Sequence, residues 1–245
     1  MFVEAQASLA LTSSGLRHAA FWIGFRQEFH MAFSQQRTFR LSPAMCHEYL
    51  AFEPAPDHVF TNRLFIVGAH VLQYCYDDHN QGTYSRHEEL VSLHNQWLEC
   101  RPSAFFPIYS GNPDREREEI MPQQWYLNDF HIVAAQTSGL INILLTAYDP
   151  TVARVGPNQR SAMKSIDTTL KSTVLEICGV ALSNRQEPTA LLTACMAIAI
   201  CGERFTDRTE QRQLMDIVVA SLRDNNYWPS NALIVKLRKA WGWDP

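Results

Sequence analysis

The sequence predicts an all-α fold: one domain of about nine helices over residues 1–245, with no sheet and an irregular, proline-rich connection at about 102–121. Three observations predict it. Apolar residues recur at three- and four-residue spacing in nearly every segment, the period of a helix face. No hairpin dipeptide separates two apolar runs, and no strand–helix alternation appears. No repeat of fixed period is present, which sets aside a solenoid. A chain of 245 residues could make one large domain or two small ones. Its one candidate hinge carries Phe105, Phe106 and Tyr109 and is too short and aromatic for a free linker, so a single domain is expected.

A first helix is expected over residues 4–12, and Gly15 separates it from a long one ending near Gln36. In the long helix Trp22, Phe25, Phe29 and Phe33 fall on one face. Arg26, Gln27, His30, Ser34 and Arg37 fall on another. Pro43, Pro54 and Pro56 make residues 38–56 a loop. Asp57 suits an N-cap for a helix running to about Tyr76. Ser85 and Glu88 have capping-box spacing for a helix through Leu90, Leu93, Trp97 and Leu98, which Pro102 stops. The connection that follows holds the charge run 114–119.

Pro122 is expected to open a helix to about Tyr148, with Trp125, Phe130, Val133, Leu140 and Leu144 available for burial. Asp149-Pro150 and Gly156-Pro157 bracket a second connection. Residues 160–182 are helical again, ending at Asn184. Pro188 suits the first turn of an apolar helix through Cys201. Asp207 and Glu210 cap a helix through Leu214, Val218 and Leu222, and a last helix covers residues 230–241.

Composition narrows the function classes. With 46% hydrophobic and 19% charged residues the chain is an ordinary globular one. A net charge of -4 and scattered basic residues argue against a dedicated nucleic-acid surface. The short basic cluster at Lys236, Arg238 and Lys239 reads as a solvated helix face. The N-terminus has Glu4 and no basic region, so it fails as a signal peptide. The most apolar run, 190–201, is too short to span a bilayer and reads as a buried helix, so no membrane is expected. Cys46, Cys75, Cys100, Cys178, Cys195 and Cys201 include no C-x-x-C pair and read as core thiols of an intracellular protein.

Chemistry-bearing motifs are sparse. His87 and His94 share a helix face but lie about 10 Å apart along it, too far to hold one small ion, and His79 adds no helical partner. Asp77-Asp78 resembles the start of a magnesium-binding aspartate motif, yet His79-Asn80-Gln81 follows where further carboxylates are needed. There is no nucleophile elbow and no glycine-rich phosphate loop. Around Cys201 to Arg208, pairing of Glu203 or Asp207 with Arg204 or Arg208 is expected to fix a helix junction. Arg26 and His30, one turn apart, could hold an anion together, against the simpler reading of a solvated face. No catalytic, cofactor-binding or metal-binding residue is nominated, and neither enzyme activity nor a cofactor is expected.

The aromatic helix followed by Gln35-Gln36-Arg37-Thr38-Phe39 resembles the fungal-specific transcription factor domain. Three later blocks carry the same resemblance in the same order: residues 125–148, 177–184 and 192–207. Together they span about residue 17 to Trp243. The resemblance implies an all-α, nuclear regulator of transcription, often of nutrient use or secondary metabolism. Such a domain works through intramolecular contacts, protein partners, self-association or small effectors. That family's DNA-reading module needs six closely spaced cysteines binding two zinc ions, which this sequence lacks. The expectation is therefore a regulator's helical body that does not bind DNA directly and acts through protein contacts. Two other classes stay open: a helical sensor of a small molecule, and a helical enzyme of unrecognised type. If covering helices are missing, a large exposed apolar patch should remain, sought on the first helix and on the Trp22–Phe33 face.

Overall fold

The computed structural model describes residues 15–77, 83–114, 119–153, 155–225 and 230–243. The expected helix over residues 4–12 lies outside them. Eight α-helices appear among the described residues: α1 Leu16–Gln35, α2 Asp57–Tyr76, α3 Tyr84–Cys100, α4 Asp129–Ala147, α5 Gln159–Ser183, α6 Pro188–Cys201, α7 Arg208–Asn225 and α8 Ser230–Ala240. The mostly helical fold is as expected. The expected absence of a sheet is not: β1 (Tyr109–Gly111) and β2 (Gln123–Trp125) pair antiparallel, with Tyr109 opposite Trp125.

Two compact units result, one of residues 1–102 and 148–151, the other of 103–147 and 152–245. In the first, the apolar stripe of α1 is buried, with Trp22, Phe25, Phe29 and Phe33 at most 2% exposed. Phe29 meets Phe65 of α2 edge-on at 5.2 Å, and Phe25 meets Phe39 at 4.9 Å, the offset geometries that ring quadrupoles favour. The Trp97 indole of α3 donates to the Phe60 carbonyl of α2 at 2.9 Å, so its N–H is paired inside the core. Residues 38–56 are not all loop: Pro43–Leu50 forms a 3₁₀ helix that opens on its proline and buries Cys46. At the start of α2 Asp57 is the first helical residue rather than the cap, and Pro56 takes the cap position. Ser85 does not cap α3, because the helix begins two residues earlier, with Thr83 at its cap position.

In the second unit α6 is apolar on all sides and sits in the core, where such a helix must be. Glu187 caps it, its carboxylate accepting from the Thr189 N–H at 3.0 Å. Gln136 of α4 donates to the carbonyls of both Ile177 on α5 and Ala190 on α6, at 3.1 and 3.0 Å, and so ties three helices together. Asp207 caps α7 as expected, accepting from Thr209 and Glu210 N–H at 2.8 and 3.0 Å. Pro122 does not open a helix. It leads into β2, and α4 starts only after Asn128, whose side chain accepts from the His131 N–H at 3.2 Å. Among the described residues α4 alone is long and apolar enough to cross a membrane, a test that buried core helices also pass; 56% of its apolar window is buried.

Candidate functional site

The strongest concentration of unusual surface lies around the two-stranded ribbon of the second unit. A ribbon of two strands is marginal by itself, so its support matters. The outer edge of β2 is occupied by the C-terminal end of α5. Gln124 N–H donates to the Ser183 hydroxyl at 3.1 Å, Tyr126 N–H donates to the Asn184 side-chain carbonyl at 3.1 Å, and Asn184 returns a bond to the Gln124 carbonyl at 2.7 Å. Asn184 is fully buried, and its amide also reaches the Val180 carbonyl at 2.7 Å. Two side chains of α5 thus supply what a third strand would.

The other edge differs. Ser110 stands opposite Gln124, and the Gln124 amide and carbonyl point away from β1. By the alternation of an antiparallel ladder, the Ser110 N–H and C=O point away from β2. Ser110 is exposed, so the outer edge of β1 faces solvent with its polar backbone groups.

Large apolar side chains crowd the same place. Phe106, Ile108, Tyr109, Trp125, Leu127 and Phe130 are all exposed, Ile108 and Leu127 by about two thirds, and each lies within five residues of a ribbon strand. Beneath β2 a recess of about 320 Å³ opens between the Glu119–Trp125 segment and α5, with Met121, Gly179 and Leu182 in its wall. A Cβ on Gly179 would lie 2.1 Å from the Pro122 carbonyl oxygen, so glycine is what lets this segment sit against the helix. The recess presents amide, hydroxyl and apolar groups with the single carboxylate of Glu119 among its described lining residues.

The residues weighed for chemistry fall elsewhere. The Trp22–Phe33 face is core, not the exposed patch expected of it, because α2 and Phe39 cover it. Trp125 and Phe130, expected to be buried in a helix, are the exposed ones; the late start of α4 turns His131, Ile132 and Ala134 inward instead. Arg26 and His30 are half-buried, not a solvated face. Arg26 donates to the Trp22 carbonyl at 3.2 Å, and burial, reinforced by Arg26, pushes His30 down to about 4. His87 and His94 are buried, and burial with Arg101 nearby lowers His94 to about 4. His79 and Asp78 lie outside the described residues, as do residues 115–118 of the charge run. No group of His, Cys, Asp and Glu able to hold a metal occurs among the described residues.

At the α6–α7 junction Arg204 pairs with Asp167 of α5, not with Glu203 or Asp207, since the Asp207 carboxylate is committed to capping α7. Arg208 lies over the Trp243 ring at 5.7 Å. Sequence reasoning missed the ribbon; Asn184, noted only as a helix end, was the available signal.

No protein-family model, curated protein or solved structure matches the chain. The fold places it among mostly helical proteins, and the ribbon is the surface on which a functional reading rests.

Proposed function

We propose that the chain is a helical regulatory domain that modulates transcription in the nucleus through protein contacts rather than by binding DNA. The resemblance noted in the sequence supports this reading, and one structural observation carries it: six exposed large apolar residues gathered about a ribbon whose β1 edge is open. An apolar surface of this kind beside unpaired strand groups suits a partner segment that adds as an extended strand, with backbone bonds giving affinity and side-chain contacts giving selectivity.

The test fuses the chain to a heterologous DNA-binding domain in a reporter strain. The fusion should change reporter output, and Ile108→Glu with Leu127→Glu should abolish that change while the soluble protein level stays the same. The purified chain should show no sequence-specific, salt-resistant shift of random duplex DNA. An inert fusion, or tight specific DNA binding, would overturn the reading.

A second reading, a sensor of a small effector, is favoured by the recess of about 320 Å³ beneath β2. It lies at the low end of ligand-pocket volumes. Ligand-dependent protection of Trp125 fluorescence from quenching would separate it from the first.

A further inference from the structure

We infer that the outer face of α1 pairs with the same face of a second copy of this chain, the two helices running antiparallel about a two-fold axis between Ile23 and Gly24. This face belongs to the first unit, not to the ribbon, and the inference does not depend on the function proposed above. On its inner side α1 buries Phe21, Trp22, Phe25, Phe29, Ala32 and Phe33. The opposite side carries Leu16, Ala20, Ile23, Gln27 and Met31, all exposed, Leu16 by 87%, Ile23 by 52% and Met31 by 45%. At about 100° per residue these five fall within an arc of about 80° and make one continuous stripe.

A helix lying on a core ordinarily turns charged residues to water. α3 does so, exposing Glu88, Glu89 and Glu99. Among the exposed residues of α1, Arg17 alone is charged, and it stands in the first turn. Arg26 and Glu28 are half-buried and directed to their own unit. Arg26 donates to the Trp22 carbonyl at 3.2 Å, and Glu28 accepts from Arg37 Nη2 and from the Arg40 N–H, both at 3.0 Å. Depletion of charge, with large apolar groups in its place, is the composition of an interface core.

The spacing of the stripe is symmetric, and that symmetry selects the occupant. Leu16 and Met31 stand at equal distances, about 11 Å along the axis, on either side of the midpoint between Ile23 and Gly24. A two-fold rotation about that midpoint lays Leu16 of each copy on Met31 of the other, Ala20 on Gln27, and the two Ile23 side chains beside one another. An isologous contact requires this kind of self-complementary patch. Ala20 adds little bulk between the large residues, so the helix axes can approach closely. A parallel pairing would instead set Arg17 against Arg17 and align the two helix dipoles, which the antiparallel one avoids.

Sedimentation velocity of the full chain tests the pairing. One helix on one helix is a small contact, so a reversible shift from monomer to dimer is expected between about 1 and about 300 µM. Ile23→Glu sets two carboxylates together at the axis and should weaken the dimer roughly tenfold or more. Ile108→Glu with Leu127→Glu, on the ribbon, should dimerise as wild type does. Circular dichroism checks that each variant is folded. Cross-linking reads the direction independently. In a Cys100→Ser background, Leu16→Cys mixed with Met31→Cys should give mainly the mixed disulfide dimer under mild oxidation. A chain still monomeric at about 300 µM, an Ile23→Glu variant that dimerises unchanged, or a dimer lost in the ribbon variant would each overturn the inference. Leu16→Cys cross-linking mainly to itself would make the pairing parallel, and that also overturns it.

Discussion

Asn184, at the end of α5, holds the Gln124 carbonyl from 60 residues away along the chain, its Nδ2 2.7 Å from that oxygen. The same buried amide serves Tyr126 N–H and the Val180 carbonyl. Asn184→Ala removes the side-chain bonds to Gln124 and Tyr126 from a fully buried position, and should cost about 1–3 kcal/mol. Urea unfolding would read it as a lower midpoint. Asn184→Asp should also destabilise, because a carboxylate cannot donate to either carbonyl.

Gly179 of α5 packs against Pro122 and Gly139 of α4 packs against α5, and the two should respond differently to alanine. At Gly179 the added methyl would meet the Pro122 backbone oxygen at 2.1 Å, which cannot move aside without moving the ribbon. Gly179→Ala should destabilise by about 1–3 kcal/mol despite its better helix propensity. At Gly139 the nearest atom is Cγ1 of the buried Ile177 side chain at 2.7 Å, and χ1 of a β-branched residue is stiff in a helix. Gly139→Ala should destabilise as well, but by less, because a side chain and not backbone must give way. Thermal melts of the two variants would show the larger loss for Gly179→Ala.

The first unit should weaken on mild acidification. His30, His70 and His94 are each lowered to about 4, chiefly by burial, with Arg26, Arg86 and Arg101 respectively adding to the effect. A lowered histidine is neutral when folded and takes up a proton on unfolding, so the unfolded state binds more protons between pH 6.5 and 4. Stability is therefore full above pH 6.5 and falls as pH drops towards 4. His94, the most buried of the three, accounts for up to about 3 kcal/mol. Urea midpoints at pH 7 and pH 4.5 should differ, and the gap should narrow in His94→Gln.

Thiol reactivity should single out one cysteine. Cys100 is exposed, whereas Cys46, Cys75, Cys178, Cys195 and Cys201 are buried thiols outside any disulfide. Burial raises all five buried thiols, Cys46 to about 12 and both Cys195 and Cys201 to about 11, and the thiolate is the reactive form. A chromogenic disulfide reagent should titrate one thiol rapidly in the native protein and all six in denaturant. Cys100→Ser should remove the fast phase.

The helices were legible where a local signal and the tertiary structure agreed. Pro188 begins α6, Asp207 caps α7, and Asn184 ends α5, because each acts through neighbours a few residues away. The same kind of signal misled at Pro122. Its carbonyl packs on Gly179, and that long-range contact, together with capping by Asn128, moves the helix start to Asp129. Neither strand announces itself, since Tyr-Ser-Gly and Gln-Gln-Trp show no apolar alternation and their support comes from Ser183 and Asn184. The aromatic stripe of α1 was legible as one helix face, and it is buried; the exposed apolar residues lie in the segment read as a connection and among residues assigned to a buried helix.

Because Ser183 and Asn184 stand in for a missing strand, the length of α5 and the register of the ribbon are a single variable. Deleting one residue from the last turn of that helix would rotate both side chains by about 100° away from β2. The ribbon, and any partner that adds to its open edge, would be lost with no change to a ribbon residue. A helix terminus at one edge of the ribbon thus sets the tolerance of the other edge to insertion and deletion.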